Sequence, residues 1–447
     1  MDYRSNSSED EYEENQTDIL NIRCLFCSVS FGTFENILVH IKENHQLDFI
    51  DKCRTFNLDI FQFFKLINYI RKNEIKSTEV EAVLESKSYN VESYMIPTLE
   101  DDHFLMFDFE ENLPKKGVIN LDNNSDIDYI NSYSHFGIHH TMLSDKERTL
   151  AYKDAIIENS EAFLGKSVLD IGCGTGILSL FAAQAGARIV VAVDQSDIID
   201  NATMIIQQNG YENVIKTVKG KLETIDWKLL NLPTQYDIII SEWMGYFLLF
   251  EGMIDTVLFA RDNLMTNEGK LLPNRSKMFF AAFSDSNFYE KNVDFWNDVY
   301  GFKMSSFIKD VTSEAMVEVV NGENICSSSE VILELDISKC SIESALQVNS
   351  KFNLRFEQTA TIHGFVGWFD CYFEGMFKSV TLSTSPFSES THWKQTIFLL
   401  KEPISIEAGK SLKGEIEILR DTSNARALNV GLYLEQLNMS LQYNISC

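Results

Sequence analysis

Two glutamates stand nine residues apart in the stretch SEWMGYFLLFEGM (residues 241–253), inside a run otherwise built of aromatic, aliphatic and methionine side chains. On one helix, residues nine apart fall on opposite faces, and on one strand they point to opposite sides of the sheet. Neither regular element brings Glu242 and Glu251 together. A loop that doubles back, with Gly245 as the permissive residue of the bend, could aim both carboxylates into one pocket walled by Trp243, Met244, Tyr246 and Phe250. The alternative is that both are the wet side of an amphipathic segment.

A second group has the spacing of metal ligands. In CLFCSVSFGTFENILVHIKENH, Cys24 and Cys27 are followed by His40 and His45 in the pattern C-x2-C-x12-H-x4-H. Two thiolates on a tight turn and two imidazoles about one helical turn apart can close a tetrahedral Zn2+ site. A segment this small needs such a site for stability. Phe31 and Ile37 take the aromatic and aliphatic places of the mini-core. The finger is not expected to read DNA, because Arg23 and Lys42 are outweighed by Glu35, Glu43 and Asp48 and phosphate binding needs the opposite balance.

The third group is VLDIGCGTG (residues 168–176), an apolar strand running into a glycine turn, followed by the helix-like ILSLFAAQAGA and a second strand, RIVVAVDQS. Gly172, Gly174 and Gly176 let the backbone turn sharply and approach a ligand. Asp194, at the end of the next strand, can bind ribose hydroxyls, so a nucleoside-containing cofactor is expected. The order G-x-G-x-G, with Ile177 where a dinucleotide fingerprint wants its last glycine, fits S-adenosylmethionine better than NAD.

The elements that must position these groups follow from the whole chain. At 447 residues and 45% hydrophobic content with 6 prolines, the chain is long and apolar enough for two or three ordered domains. A formal net charge of -28 argues against a nucleic-acid-coating protein and steers cationic partners inward. No stretch is long and apolar enough to span a bilayer, so no membrane association is expected. The acidic start MDYRSNSSEDEYEEN is unlike a secretory signal, and the expected location is intracellular. The 8 cysteines are spread thinly, unlike a disulfide framework. LDIFQFFKLINYIRK after the finger reads as an apolar helix, whereas LEDDHFLMFDFEEN (residues 99–112) reads as a partly ordered connector or a docking segment.

Taken in order and spacing, VLDIGCGTGILSLFAAQAGA, VAVDQS, SEWMGYFLLFEGM and STHWKQT (390–396) resemble the protein arginine methyltransferases, from about residue 126 to the C-terminus. The finger ahead of that core resembles the zinc-finger-bearing, type I subtype. The resemblance implies an α/β Rossmann-like methyltransferase domain, a following β-barrel domain, and an N-terminal Cys2His2 zinc finger. The expected boundaries are an acidic tail at 1–20, the finger with its helical extension at 21–72, an acidic connector at 73–125, the S-adenosylmethionine domain at 126–273 and the barrel at 274–447. A dimerisation arm is expected at about 287–302, making a homodimer.

Roles follow by the same resemblance. Glu242 and Glu251 would hold a substrate guanidinium, whose planar fork of donors suits two carboxylates. His392, with Asp145 as its partner, would help remove or stabilise the released proton. Tyr129 and Tyr133 would cover the cofactor, Arg148 would pair with its carboxylate, Asp170 and the glycines would shape its site, and Glu223 would meet the adenine amine. Met142 and Met253 would flank the arginine site beside Trp243, as in relatives that make asymmetric dimethylarginine. The subtype implies a cytosolic ribosomal small-subunit protein as substrate, recognised through the finger. Ile130 replaces an aromatic of the cofactor lid, and His140 and Thr141 stand where the family has two acids. A small-molecule or RNA methyltransferase would share the glycine loop without needing paired acids. A binding-only scaffold would not need the glutamates, His392 and the cofactor positions together.

Overall fold

The computed structural model describes residues 22–56, 58, 60–99, 102–106, 133–422 and 424–446. The acidic tail, much of the expected connector and Tyr129 lie outside the described residues. The chain divides into two compact units, Met1–Asn120 and Leu121–Cys447.

In the first unit, strands β1 (Ile22–Arg23) and β2 (Ser30–Phe31) pair antiparallel and lead into helix α1 (Phe34–Asn44). The side chain of Thr33 caps α1 by accepting the Asn36 N–H. Helix α2 (Phe49–Thr55) and helix α3 (Ile60–Asn73) follow. Ile37 and Ile41 of α1 and Phe63, Leu66, Ile67 and Ile70 of α3 are fully buried in one core. That core continues past residue 73. Helix α4 (Val80–Ser86) adds Val80 and Leu84, and Phe104 packs edge-on against Phe34 and Phe49 at 6.3 and 6.1 Å. Arg71 of α3 donates to the Asp102 carboxylate at 2.9 and 3.2 Å, to the Arg23 carbonyl at 2.7 Å, and to the Cys24 carbonyl. Residues expected as connector therefore complete the core around the finger. The acids of LEDDHF hid this, because one of them is a buried counter-ion.

The second unit opens with helices α5 (Phe136–Ser144), α6 (Lys146–Ile157) and α7 (Ser160–Phe163). Strands β3 (Ser167–Ile171), β4 (Ile189–Asp194), β5 (Ile215–Lys219), β6 (Tyr236–Ser241) and β7 (Met265–Leu272) form a parallel sheet in the order β5-β4-β3-β6-β7. Helices α8 (Ile177–Gln184), α9 (Ile198–Gln208) and α10 (Ile254–Leu264) make the β3–β4, β4–β5 and β6–β7 crossovers. The largely apolar, buried runs of β3, β4 and β6 suit strands covered on both faces. The strand order reverses between β3 and β6, the place where open parallel sheets bind ligands.

Among the described residues ten antiparallel strands follow in the barrel: β8 (Arg275–Phe283), β9 (Met316–Glu318), β10 (Glu330–Asp336), β11 (Gln347–Arg355), β12 (Ala360–Phe373), β13 (Val380–Ser383), β14 (Gln395–Ile406), β15 (Ser411–Arg420), β16 (Leu428–Leu434) and β17 (Met439–Ile445). They form sheets ordered β10-β8-β12-β14-β9, with β13 on β12, and β11-β15-β16-β17. Phe280, Phe352, Phe365, Phe398 and Tyr443 are buried together in the core that also includes the parallel sheet. Between β8 (Arg275–Phe283) and β9 (Met316–Glu318), the expected arm is helical over Ser286–Asn292, capped by Asp285. Beyond it Phe295, Tyr300 and Phe302 stand exposed. Among the described residues no helix is long and apolar enough to cross a membrane.

Candidate active site and metal centre

The glycine turn leaves the C-terminal end of β3, and Glu242 leaves the end of its neighbour β6. Ile171 and Ser241 are register partners, and the Ser241 hydroxyl donates to the Ile171 carbonyl at 2.9 Å. One end of the glutamate loop is thus fixed beside Gly172. The other end returns to the same place. A Cβ on Gly172, which lies at φ 67°, would sit 2.4 Å from the terminal methyl of Met253.

The loop does double back, through a bridge between Gly245 and Leu248, with the Gly245 N–H donating to the Leu248 carbonyl at 3.1 Å. The reason for Gly245 differs from the one its sequence suggests. Its φ is not among the positive values; instead a Cβ would lie 2.0 Å from the Phe250 carbonyl oxygen. Phe247, Leu248 and Glu251 take the left-handed conformations, at φ 48°, 62° and 73°. Such backbone persists only where the surroundings hold it. Trp243, Met244 and Phe250 are buried, and the Trp243 indole N–H has no hydrogen-bond partner.

Glu242 accepts from Arg148 Nε and Nη2 at 3.2 and 2.9 Å, in an ion pair whose side chains are 9% and 7% exposed. The Arg148 guanidinium, expected to meet the cofactor carboxylate, lies on Glu242 and also donates to the Met142 carbonyl at 3.3 Å. Glu251 accepts from the Tyr133 hydroxyl at 3.0 Å. Tyr133 thereby joins the glutamates, a role its place in the lid pattern did not suggest.

Asp145 caps α6, its carboxylate accepting the Arg148 N–H at 3.0 Å and, from His392, both the backbone N–H at 2.8 Å and Nδ1 at 2.7 Å. Burial pushes the Asp145 carboxyl up, but those hydrogen bonds more than offset it and hold it below the ordinary carboxylate range. Trp393 next door donates from its indole to the Met244 carbonyl at 2.8 Å, so the THW loop is tied to both α6 and the glutamate loop.

On the cofactor side, Asp194 accepts the Gly174 N–H at 2.8 Å on one oxygen and the Ser196 N–H and hydroxyl at 2.8 and 2.7 Å on the other. The oxygen that takes the Gly174 N–H keeps a further lone pair for a hydroxyl. Glu223 takes the Thr256 hydroxyl at 2.7 Å on one oxygen, while its other oxygen is buried without a partner, an acceptor waiting for a donor such as an amine. Asp170, fully buried under the glycine turn, holds the Ser179 hydroxyl at 2.6 Å. Burial, aided by the nearby Asp194 charge and opposed by Ser179, pushes its carboxyl up to about 7. His139 is a site residue the sequence reading passed over. It is 4% exposed, bonds to the Tyr133 carbonyl at 2.7 Å and packs 3.2 Å from where a Gly174 Cβ would lie. Its place at the end of HFGIH, beside the lid tyrosines, was the available signal. These acceptors and the close backbone fit the adenosine end of S-adenosylmethionine.

In the finger, Cys24 Sγ lies 3.5 Å from His45 Nε2, and Cys27 Sγ lies 3.2 Å from His40 Nε2. All four ligand atoms fall within 4.8 Å of one another, the only such group among the described residues. Bond lengths of about 2.0–2.3 Å put the edges of a tetrahedral zinc site at about 3.3–3.8 Å. The set fits Zn2+.

Comparison with known proteins gives these sites their context. A family model of the arginine methyltransferase oligomerization subdomain matches residues 274–438. Protein arginine N-methyltransferase 1 of Schizosaccharomyces pombe is 43% identical over 305 residues, covering 68% of this chain and 88% of that relative. The chain belongs to the protein arginine N-methyltransferase family. The Saccharomyces cerevisiae protein of the same name is 42% identical over 305 residues, 68% of this chain and 86% of its own length.

Among solved structures, the Trypanosoma brucei PRMT1 enzyme-prozyme heterotetrameric complex with AdoHcy matches with TM-score 0.67 and 36% identity, over 71% of this chain and 100% of that one. Arabidopsis thaliana protein arginine methyltransferase 10 matches with TM-score 0.62 and 29% identity, over 70% and 99%. A model of ribosomal protein L11 methyltransferase matches residues 150–249. That stretch holds the glycine turn and Glu242 but ends before Glu251 and His392. The zinc-finger domain model of protein arginine N-methyltransferase 3 matches residues 52–97, the helices that follow the four ligands.

Proposed function

We propose that this arginine methyltransferase transfers methyl groups from S-adenosylmethionine to the terminal guanidino nitrogens of protein arginines, giving monomethylarginine and then asymmetric dimethylarginine. The observation that carries the reading is the return of both ends of the glutamate loop to Gly172, which brings acids and cofactor turn to one place. S-adenosylmethionine supplies the methyl on a sulfonium. The chain's own residues do the rest. A guanidinium nitrogen is a poor nucleophile because its lone pair is delocalised, and carboxylates on the other nitrogens draw positive charge toward themselves and localise electron density on the attacking one. Holding the reacting atoms in line within a dry site is worth up to about 7–11 kcal/mol. Trp243, Met244 and Phe250, all buried, help exclude water. The His392–Asp145 pair supports a role for the imidazole in carrying off the proton released on transfer.

Met142 and Met253 support the asymmetric product, since flexible thioethers yield space beside a nitrogen already bearing a methyl group. A homodimer is supported by the exposed arm aromatics and the oligomerization-subdomain match. We place the enzyme in the cytosol, with the finger recruiting a ribosomal small-subunit protein.

Transfer of radiolabel to an arginine-glycine-rich peptide, with a lysine-for-arginine control, tests the activity. Mass spectrometry of the product should show neutral loss of dimethylamine; monomethylamine loss would overturn the asymmetric assignment. Cys27→Ser should release zinc and weaken methylation of small ribosomal subunits while sparing short peptides. Equal loss on both substrates would remove the recruiting role.

A further inference from the structure

Glu251 holds a left-handed backbone at φ 73°, a conformation that a residue with a side chain keeps only under external restraint. The restraint comes from the barrel. The turn between β15 (Ser411–Arg420) and β16 (Leu428–Leu434) brings Arg426 alongside, where its carbonyl accepts the Glu251 N–H at 2.8 Å and its Nη1 donates to the Glu251 carbonyl at 2.8 Å. Two hydrogen bonds from one residue thus bracket both peptide groups of Glu251. The neighbouring Arg420 holds Asp255, in the first turn of α10, through Nη1 and Nη2 at 2.5 and 2.9 Å.

The turn carrying Arg426 is itself braced. Asn424 Oδ1 accepts the Arg426 N–H at 3.0 Å, Asp421 Oδ1 accepts the Asn424 N–H at 2.9 Å, and Asp421 Oδ2 accepts from Asn429 at 2.8 Å. The Asp421 N–H closes the turn on the Ala427 carbonyl at 3.0 Å. Such a turn presents Arg426 at a fixed position rather than as a free surface arginine.

We propose that Arg426 is a positioning residue for methyl transfer, acting through the main chain of Glu251 to fix the direction of that carboxylate. The barrel then completes the catalytic site from outside the cofactor domain. The inference rests on reading Glu251 as a guanidinium ligand. Displacing a reacting group by an ångström can cost about 10²-fold in rate, so the geometry of this bracket governs turnover, while the cofactor acceptors on Asp194 and Glu223 stand apart from it.

The test uses the full chain. Arg426→Ala should lower kcat on an arginine-glycine peptide by about 10²-fold, with S-adenosylmethionine affinity by calorimetry unchanged. Arg426→Lys, which keeps a donor, should recover part of the loss and serves also if the alanine variant does not fold. A double variant with Glu251→Gln should lose no more than Glu251→Gln alone, because two changes acting on one group are not additive. An additive loss, a parallel fall in cofactor affinity, or wild-type turnover in Arg426→Ala overturns the assignment. Should the wild-type chain itself transfer no label, the guanidinium reading fails first and this inference with it.

Discussion

Glu242 and Glu251 bound one loop, yet the molecule treats them in opposite ways. Glu242 continues a buried strand and is met by a resident cation, Arg148, in an ion pair closed off from water. Glu251 stands on strained backbone, and its carboxylate accepts from the Tyr133 phenol. A phenol orients a carboxylate without cancelling its charge. Two side chains that look equivalent in the motif thus sit in different settings: one in a buried ion pair, the other on left-handed backbone beside a phenol.

The sharpest way to break this comparison is to neutralise each glutamate in turn. Glu242→Gln leaves Arg148 as a buried, uncompensated charge, a change that costs about 3–5 kcal/mol; denaturant unfolding should register it along with lost activity. Glu251→Gln should unfold nearly as the wild type does, yet lose about 10²–10³-fold in kcat, the range for removing one electrostatic contact to the transition state. Equal destabilisation by both would erase the distinction. Next in size, Tyr133→Phe removes a hydrogen bond to a charged group, worth about 1.5–3 kcal/mol. It should lower kcat on peptide about tenfold or more by that arithmetic. If only cofactor affinity moves, the tyrosine serves the lid and not Glu251.

The smallest effect concerns pH. Asp145 is held below the ordinary carboxylate range, so its contribution to stability is complete above about pH 4, the unfolded value, and is lost as pH falls through the lower folded value. Asp145→Asn should flatten that acid limb in a stability-against-pH titration. An unchanged limb would mean that the His392 and Arg148 hydrogen bonds do not set it.

Residues whose chemistry is local could be read from the sequence. The glycine turn, Asp194, the Cys2His2 set and the His392–Asp145 pair each depend on residue type and short spacing, or on a motif whose partner the resemblance supplies. What the sequence hid depends on distant chain. Arg148 and Glu242 are 94 positions apart, Tyr133 and Glu251 are 118, and Arg426 and Glu251 are 175, and no periodicity links such pairs. Gly245 misled in another way. Glycine signals a bend or a close approach equally well, and only the Phe250 carbonyl decides between them.

The buried pair Arg71–Asp102, with side chains 6% and 1% exposed, has a bearing on how the N-terminal unit can be inherited and manipulated. A finger that folds around its metal alone can be cut out, transplanted or duplicated as a cassette. This one cannot be trimmed at residue 72 without stranding a guanidinium against the carbonyls of Arg23 and Cys24 and opening the cleft that Phe104 fills. Any exon shuffling, deletion series or bait fragment that respects the molecule must therefore carry Ile22 through Met106 as one piece.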